Sequence, residues 1–273
     1  MAVAEQTCYR HPSRETGVSC SSCGRPICTD CMIPTPVGMR CPECAKQRTK
    51  VQTASTMFTY VPRATYALIA INVVVFLAQV LAGGGGTNAT HGSVYAHGVL
   101  WAPLVADGEW WRLITAGFMH ASVLHILFNM VALYFLGQLV EPVMGTVRFV
   151  ALYFAALLAG SFGVLLFQHD AASVGASGAV FGLFGAAFVL MRRQGVNPMQ
   201  TSLGPILILN LLISFTGGIA WGAHLGGLIG GGLCALLIGA LDRGSLRGRQ
   251  LGTAACVGVA AVSLVAALAV AGS

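Results

Sequence analysis

Ser177 and His224 are the two side chains in this sequence best suited to covalent chemistry. Ser177 lies in Gly175-Ala176-Ser177-Gly178, and His224 lies in Gly222-Ala223-His224-Leu225-Gly226-Gly227, each inside an otherwise apolar run. A hydroxyl is a weak nucleophile until a base takes its proton, and a neutral imidazole has the pKa range to do this. The apolar runs carry no acidic residue at a matching position, so the expected arrangement is a Ser-His dyad rather than a triad. His125 and Asn129 are four residues apart and share one helix face, so both can point into the same space. Together with the backbone N–H of Ser177 at a helix N-terminus, they are candidate donors to a tetrahedral oxyanion. Phe181, one turn after Ser177, is placed to stack on the imidazole.

A second constellation occupies the polar head of the chain. Cys8/His11, Cys20/Cys23, Cys28/Cys31 and Cys41/Cys44 are four pairs, each with two residues between partners. That gap lets a tight turn aim both side chains at one metal, and tetrahedral zinc takes two such pairs. Two structural Zn2+ are therefore expected, with no open coordination position and hence no catalysis there. The short step from Cys23 to Cys28 favours interleaving, with the first and third pairs on one ion and the second and fourth on the other. Over residues 8 to 44 the head resembles a B-box-type zinc finger, which implies an interaction or regulatory module with a protein partner.

The elements that must position these groups follow from composition. The chain has 273 residues, of which 56% are hydrophobic and only 9% charged, against roughly 25% charged in an ordinary soluble domain. A bilayer core takes ~20 apolar residues as helix. Spans are expected at about 65–82, 123–140, 147–167, 176–191, 203–215, 220–240 and 251–271, the fifth being short, with Gly217 and Gly218 available at its outer end. The stretch from Gly83 to Ser122 starts with a glycine break and contains Trp101, Trp110 and Trp111; it reads as an interfacial loop. Asn72 and Asn210 are expected to cross-link helices, Arg112 to be held by loop carbonyls or lipid headgroups, and Cys234 and Cys256 to be small buried hydrophobes.

Seven of the nine cysteines lie in the head, and its first fifty residues contain no apolar segment of the kind that directs secretion. With the N-terminus inside and seven spans, every one of the 15 Lys and Arg except Arg112 falls on the cytoplasmic side. That bias predicts a multi-pass cell-membrane protein with its N-terminus in the cytoplasm and its C-terminus outside. The net charge of +6 is thereby accounted for by cytoplasmic loops, and no nucleic-acid partner is expected. The three spans that carry His125/Asn129, Ser177 and His224 all begin on the outer side, which sets these groups at one depth. Gly178, Gly182 and Gly185 form one smooth stripe, and Ala223, Gly227, Gly230 and Gly231 form another, so the helices of Ser177 and His224 can approach closely.

Trp111-Arg112, His120, the His125-Ile126-Leu127-Phe128-Asn129 run, Glu141 with Gly145, the Gly-Ala-Ser-Gly box, and Ala223-His224 followed by Gly227 resemble the rhomboid protease family in order and spacing. The resemblance covers residues 109 to about 232. It implies an all-α, six-helix membrane core, to which the seventh span adds a C-terminal helix. It also implies an intramembrane serine endopeptidase in which Ser177 is the nucleophile, His224 the base, and His125 and Asn129 the oxyanion ligands. The implied partners are the lipid bilayer and single-pass membrane proteins, cut near the outer end of their transmembrane helix. The organisation expected is a cytoplasmic zinc-binding module at 1–50, a linker at 51–63 and the membrane domain at 64–273.

Two other functions fit the composition. A catalytically inactive rhomboid-like protein that binds membrane clients should lack the serine or the histidine, and both are present. A zinc-regulated transporter should carry polar groups across the whole bilayer depth, whereas here they cluster at one end.

Overall fold

Fifty residues with a high share of cysteine cannot bury much apolar surface, and the first of the chain's two units, Met1–Thr59, is built accordingly. The computed structural model describes residues 6–36, 38–46, 60–83, 87–216, 218–242 and 244–272. Most of the expected linker at 51–63, the glycines at 84–86 and Gly217 lie outside the described residues. Strands β1 (Gln6–Thr7) and β2 (Glu15–Thr16) pair antiparallel, as do β3 (Ile33–Thr35) and β4 (Gly38–Arg40), and helix α1 (Pro42–Lys46) follows. Apart from six cysteines, Ile27 is the only buried apolar side chain among the described residues of this unit. No hydrocarbon core of that size holds a fold together by itself.

The second unit, Tyr60–Ser273, is helical. Its long helices are α2 (Arg63–Ala82), α6 (Val123–Met144), α7 (Thr146–Phe167), α8 (Ser177–Arg193), α9 (Leu203–Ser214), α10 (Trp221–Leu241) and α11 (Leu246–Ala271). All seven expected apolar segments are helices. Five of them, α2, α6, α7, α10 and α11, are long and apolar enough to cross a membrane. Helix α9 has only 12 residues, or ~18 Å at ~1.5 Å per residue, which falls short of a hydrocarbon core.

The stretch between α2 and α6 departs from the expected loop. It folds into α3 (Gly92–Gly98), α4 (Ala102–Ala106), α5 (Arg112–Thr115) and a 3-10 turn at Ala116–Phe118. Arg112 anchors these pieces: its side chain is buried, donates to the carbonyls of Ala96 and Val99 at 2.8 Å each, and pairs with Glu109. The loop carbonyls therefore hold this guanidinium, as expected.

Helix α7 is the central helix: 72% of its most apolar stretch is buried, compared with 22% in the peripheral α11. Helix α10 packs against α7 and α8, and α6 packs against α2 and α8. Cys234 and Cys256 are fully buried, as small hydrophobes would be. The Asn210 amide donates to Ile206 O of its own helix rather than to a neighbour, whereas Asn72 donates to Leu68 O and also faces the Tyr153 side chain of α7. For Asn210 the carbonyl one turn back takes the amide, and that local bond wins over a cross-link.

Glu141, fully buried near the end of α6, is held by five donors. It accepts from the backbone N–H of Ala64 and Thr65 at the start of α2, from the hydroxyls of Thr65 and Thr146, and from Tyr60. The orphan donors of the α2 N-terminus thus find a carboxylate, which suits the positive end of the helix dipole. Burial of that carboxylate is tolerable because its lone pairs are satisfied.

Candidate functional site

Ser177 is the first residue of α8, and His224 lies in the first turn of α10. The two helices meet backbone to backbone. A Cβ added at Gly227 would lie 1.9 Å from Gly178 O, and one at Gly231 would lie 2.2 Å from Gly182 O. One added at Gly185 would lie 2.4 Å from Leu228 O. Any side chain at these positions would force the helices apart, so the two small-residue stripes are what permits the contact. A third wall, not anticipated, comes from α7: added Cβ atoms at Gly160 and Gly163 would meet Ala223 O at 3.0 Å and Gly222 O at 2.2 Å.

The contact delivers the His224 imidazole onto the Phe181 ring, with centroids 4.1 Å apart and planes 11° from parallel. His224 is buried, as is Phe181. Among the described residues no hydrogen bond joins Ser177 Oγ to His224; the imidazole is instead bonded through Nδ1 to Ser214 Oγ at 2.5 Å. Sequence reasoning missed Ser214. A lone serine in an apolar helix is commonly satisfied by its own backbone, and nothing in its spacing distinguishes it.

His125 stands on the other side of the serine. Gly175 has φ +136°, and a Cβ there would lie 2.8 Å from His125 Nε2 and 3.5 Å from Ser177 Oγ, so both atoms border the same point. The His125 Nδ1 faces the backbone N–H of Ala121 at 3.4 Å. With Nδ1 accepting, the proton of the neutral ring is on Nε2, the edge turned toward Gly175. His120 packs edge-on against His125 at 5.1 Å. Burial, reinforced by the neighbouring His125, pushes the His120 imidazolium pKa down to about 3, so this ring stays neutral at physiological pH. Asn129 is buried on the same face, and its amide donates to His125 O at 2.9 Å. That bond uses one of its two N–H donors and leaves the other.

A small cavity adjoins the start of α8. Leu100, Ser161, Ser173, Gly175, Gly178 and Ala223 are among its lining residues. The site thus combines a serine at a helix start, an imidazole fixed in plane by an aromatic ring, and an Nε2–H donor beside the serine.

In the other unit the ligands interleave as the spacing predicts. Cys8, His11, Cys28 and Cys31 form one group, and Cys20, Cys23, Cys41 and Cys44 form the other, with the ligand atoms of each group within 4.8 Å of one another. The His11 Nδ1 lies 3.8, 3.4 and 3.5 Å from the sulfurs of Cys8, Cys28 and Cys31. The sulfurs of Cys23 and Cys41 are 3.8 Å apart. Tetrahedral zinc with Zn–S of ~2.3 Å has S···S edges of ~3.8 Å and S···N edges near ~3.5 Å, so both groups fit such an ion. The backbone N–H of Cys41 donates to Cys20 Sγ and draws that thiol down to about 6, while Arg25 beside Cys23 lowers the Cys23 thiol. Both favour the thiolate that a metal requires.

The family model of the Rhomboid domain matches residues 107–241. Rhomboid protease GluP of Bacillus subtilis (strain 168) is 34% identical over 203 residues, which cover 73% of this chain and 39% of that protein. The rhomboid-named protein YdcA of the same organism is 38% identical over 138 residues, 49% of this chain and 69% of its own length. The chain belongs to the rhomboid family. Rhomboid-like protease 1 of Toxoplasma gondii is 32% identical over 175 residues, 59% of this chain and 58% of that protein. The shared segment thus spans well under half of GluP and over half of the Toxoplasma protein. Ser177, His224, His125 and Asn129 all fall within the matched rhomboid domain, whereas the Cys/His unit and α11 lie outside it. With its rhomboid domain and five long apolar helices, the chain is a multi-pass membrane protein.

Proposed function

We propose that the chain is an intramembrane serine endopeptidase that cleaves single-pass membrane proteins with a Ser177-His224 dyad. The observation that carries this reading is the imidazole of His224, stacked on Phe181 across a glycine-lined contact whose other helix begins at Ser177. In the reaction, Ser177 Oγ attacks the scissile carbonyl while His224 Nε2 takes its proton and returns it to the departing amine. Water then attacks the acyl-enzyme, with His224 again as the base. The Nε2–H of His125, the free amide N–H of Asn129 and the backbone N–H of Ser177 receive the oxyanion. The Ser177–His224 hydrogen bond closes as substrate binds, since catalytic hydrogen bonds are often long before the complex forms.

The distribution of cations supports an N-terminus in the cytoplasm and a C-terminus outside, with the dyad near the outer face. Cleavage then falls near the outer end of a substrate helix. The two Cys/His groups hold two structural Zn2+, which fix the fold of a module that docks a protein partner rather than cutting one. The test is labelling by a serine-reactive fluorophosphonate in parallel with cleavage of a model transmembrane substrate. Ser177→Ala is expected to lose both, and folded Ser177→Ala that keeps more than a few per cent of either would overturn the assignment.

A further inference from the structure

Helix α9 contributes one polar group to the neighbourhood of the dyad, and that group lies outside every motif of the sequence. Ser214, its last residue, is 1% exposed. Its hydroxyl lies 2.6 Å from the carbonyl of Asn210 and 2.5 Å from His224 Nδ1. A hydroxyl has a single proton. The Asn210 carbonyl can only accept, so the proton of Ser214 goes there, and toward the imidazole the same oxygen can only accept. Nδ1 must then carry the proton of the neutral ring. Nε2, on the opposite edge, is left with the lone pair that a base needs.

We infer that Ser214 is the positioning residue for His224, occupying the place a carboxylate fills in a triad. Two restraints act on the ring at right angles to one another. Stacking on Phe181 fixes the plane of the imidazole but leaves it free to flip or turn within that plane. The bond to Ser214 fixes which edge faces which way. Neither restraint suffices alone: a stacked ring without an Nδ1 partner can present Nδ1 or the wrong tautomer to the serine. A neutral oxygen also suits this depth better than a carboxylate would, because an unpaired ionised group in an apolar helix pair is costly. The Asn210 carbonyl is available because Ser214 is bonded one turn back along its own helix, a geometry open to serine and threonine and to few other residues.

This inference rests on the dyad reading, and the experiment separates the two. Wild type, Ser177→Ala, Ser214→Ala and Ser214→Thr are compared by the second-order rate of fluorophosphonate labelling and by kcat and KM for a model transmembrane substrate. Ser214→Ala is expected to lower both kcat and the labelling rate about tenfold, with KM and melting temperature unchanged. Ser214→Thr keeps the hydroxyl and is expected to stay within about twofold of wild type. A purely structural role for Ser214 would shift melting and KM and leave the labelling rate of the folded fraction alone. In wild type, 15N chemical shifts of the His224 ring, assigned by difference against His224→Ala, are expected to show a protonated Nδ1; this reading does not depend on any Ser214 variant folding. A protonated Nε2 in wild type, or Ser214→Ala labelling as fast as wild type, overturns the inference while leaving the dyad standing. Labelling that survives Ser177→Ala overturns the dyad and the inference with it.

Discussion

The Cys/His unit and the helical unit each hold a set of polar side chains in a fixed arrangement, and they do so by opposite physical means. In the first, eight ligands from four turns converge on two points, with Ile27 as the sole other buried apolar residue among those described. On the proposed reading, geometry there depends on an ion in each group, because the unit has almost no other source of folding free energy. In the second, Ser177, His224, His125 and Asn129 come from three helices, and each is restrained separately: by a glycine contact, a stacked ring, a backbone N–H, or a neighbour's carbonyl. One arrangement should fail all at once and the other by degrees.

The largest expected effect tests that contrast at its extreme. A strong chelator applied to the full chain should abolish amide hydrogen-exchange protection across residues 6–46, since apparent metal-binding energies of such modules run to ~10–16 kcal/mol. The helical unit should melt as before. Protection in the head that survives complete metal removal would mean that the unit holds itself together and the contrast is false.

Loss of one oxyanion donor should be graded instead. His125→Ala and Asn129→Ala are each expected to lower kcat by ~10²–10³-fold while Ser177 remains reactive to a small probe. Equal loss of probe labelling and turnover would show that these residues hold the nucleophile rather than the intermediate.

Smaller effects come from the helix contact. Gly231→Ala places a methyl group 2.2 Å from Gly182 O, whereas Gly258 in α11 has open space around its Cβ position. Gly231→Ala should cost ~1–3 kcal/mol, read as a lower melting temperature in detergent. Gly258→Ala should cost nothing or slightly stabilise the helix. Similar melting of the two variants would remove the backbone contact as the reason for the stripes. Phe181→Leu should be mildest, forfeiting the stacking contribution of ~0.5–1.5 kcal/mol and slowing turnover by roughly tenfold at most.

Much of this was legible in the residues because the constraint in each case is local and residue-specific. The gap of two residues in each Cys/His pair, with the short step from Cys23 to Cys28, forecast the interleaving because turns can aim ligands in few ways. Small residues at helical spacing forecast the α8–α10 contact, and Phe181 one turn from Ser177 forecast the stacked imidazole. What was not legible depends on tertiary encounters between unremarkable residues. Ser214 sits in an apolar helix like any back-bonded serine until α10 brings His224 to it. Gly160 and Gly163 look like ordinary packing in α7 until Gly222 and Ala223 arrive. Helices α3, α4 and α5, of 7, 5 and 4 residues, are too short to show a period and read as a loop. The five donors around Glu141 come from two separate stretches of chain, residues 60–65 and Thr146, and no spacing rule connects them.

The role of Ser177 as a nucleophile that His224 activates is tested most directly by fluorophosphonate labelling of the purified protein followed by mass spectrometry of the modified peptide. The expected result is one adduct per chain on Ser177, absent in Ser177→Ala and slowed at least ~10³-fold in His224→Ala, with both variants still folded. An adduct on another residue, or undiminished labelling of Ser177 in folded His224→Ala, would contradict it.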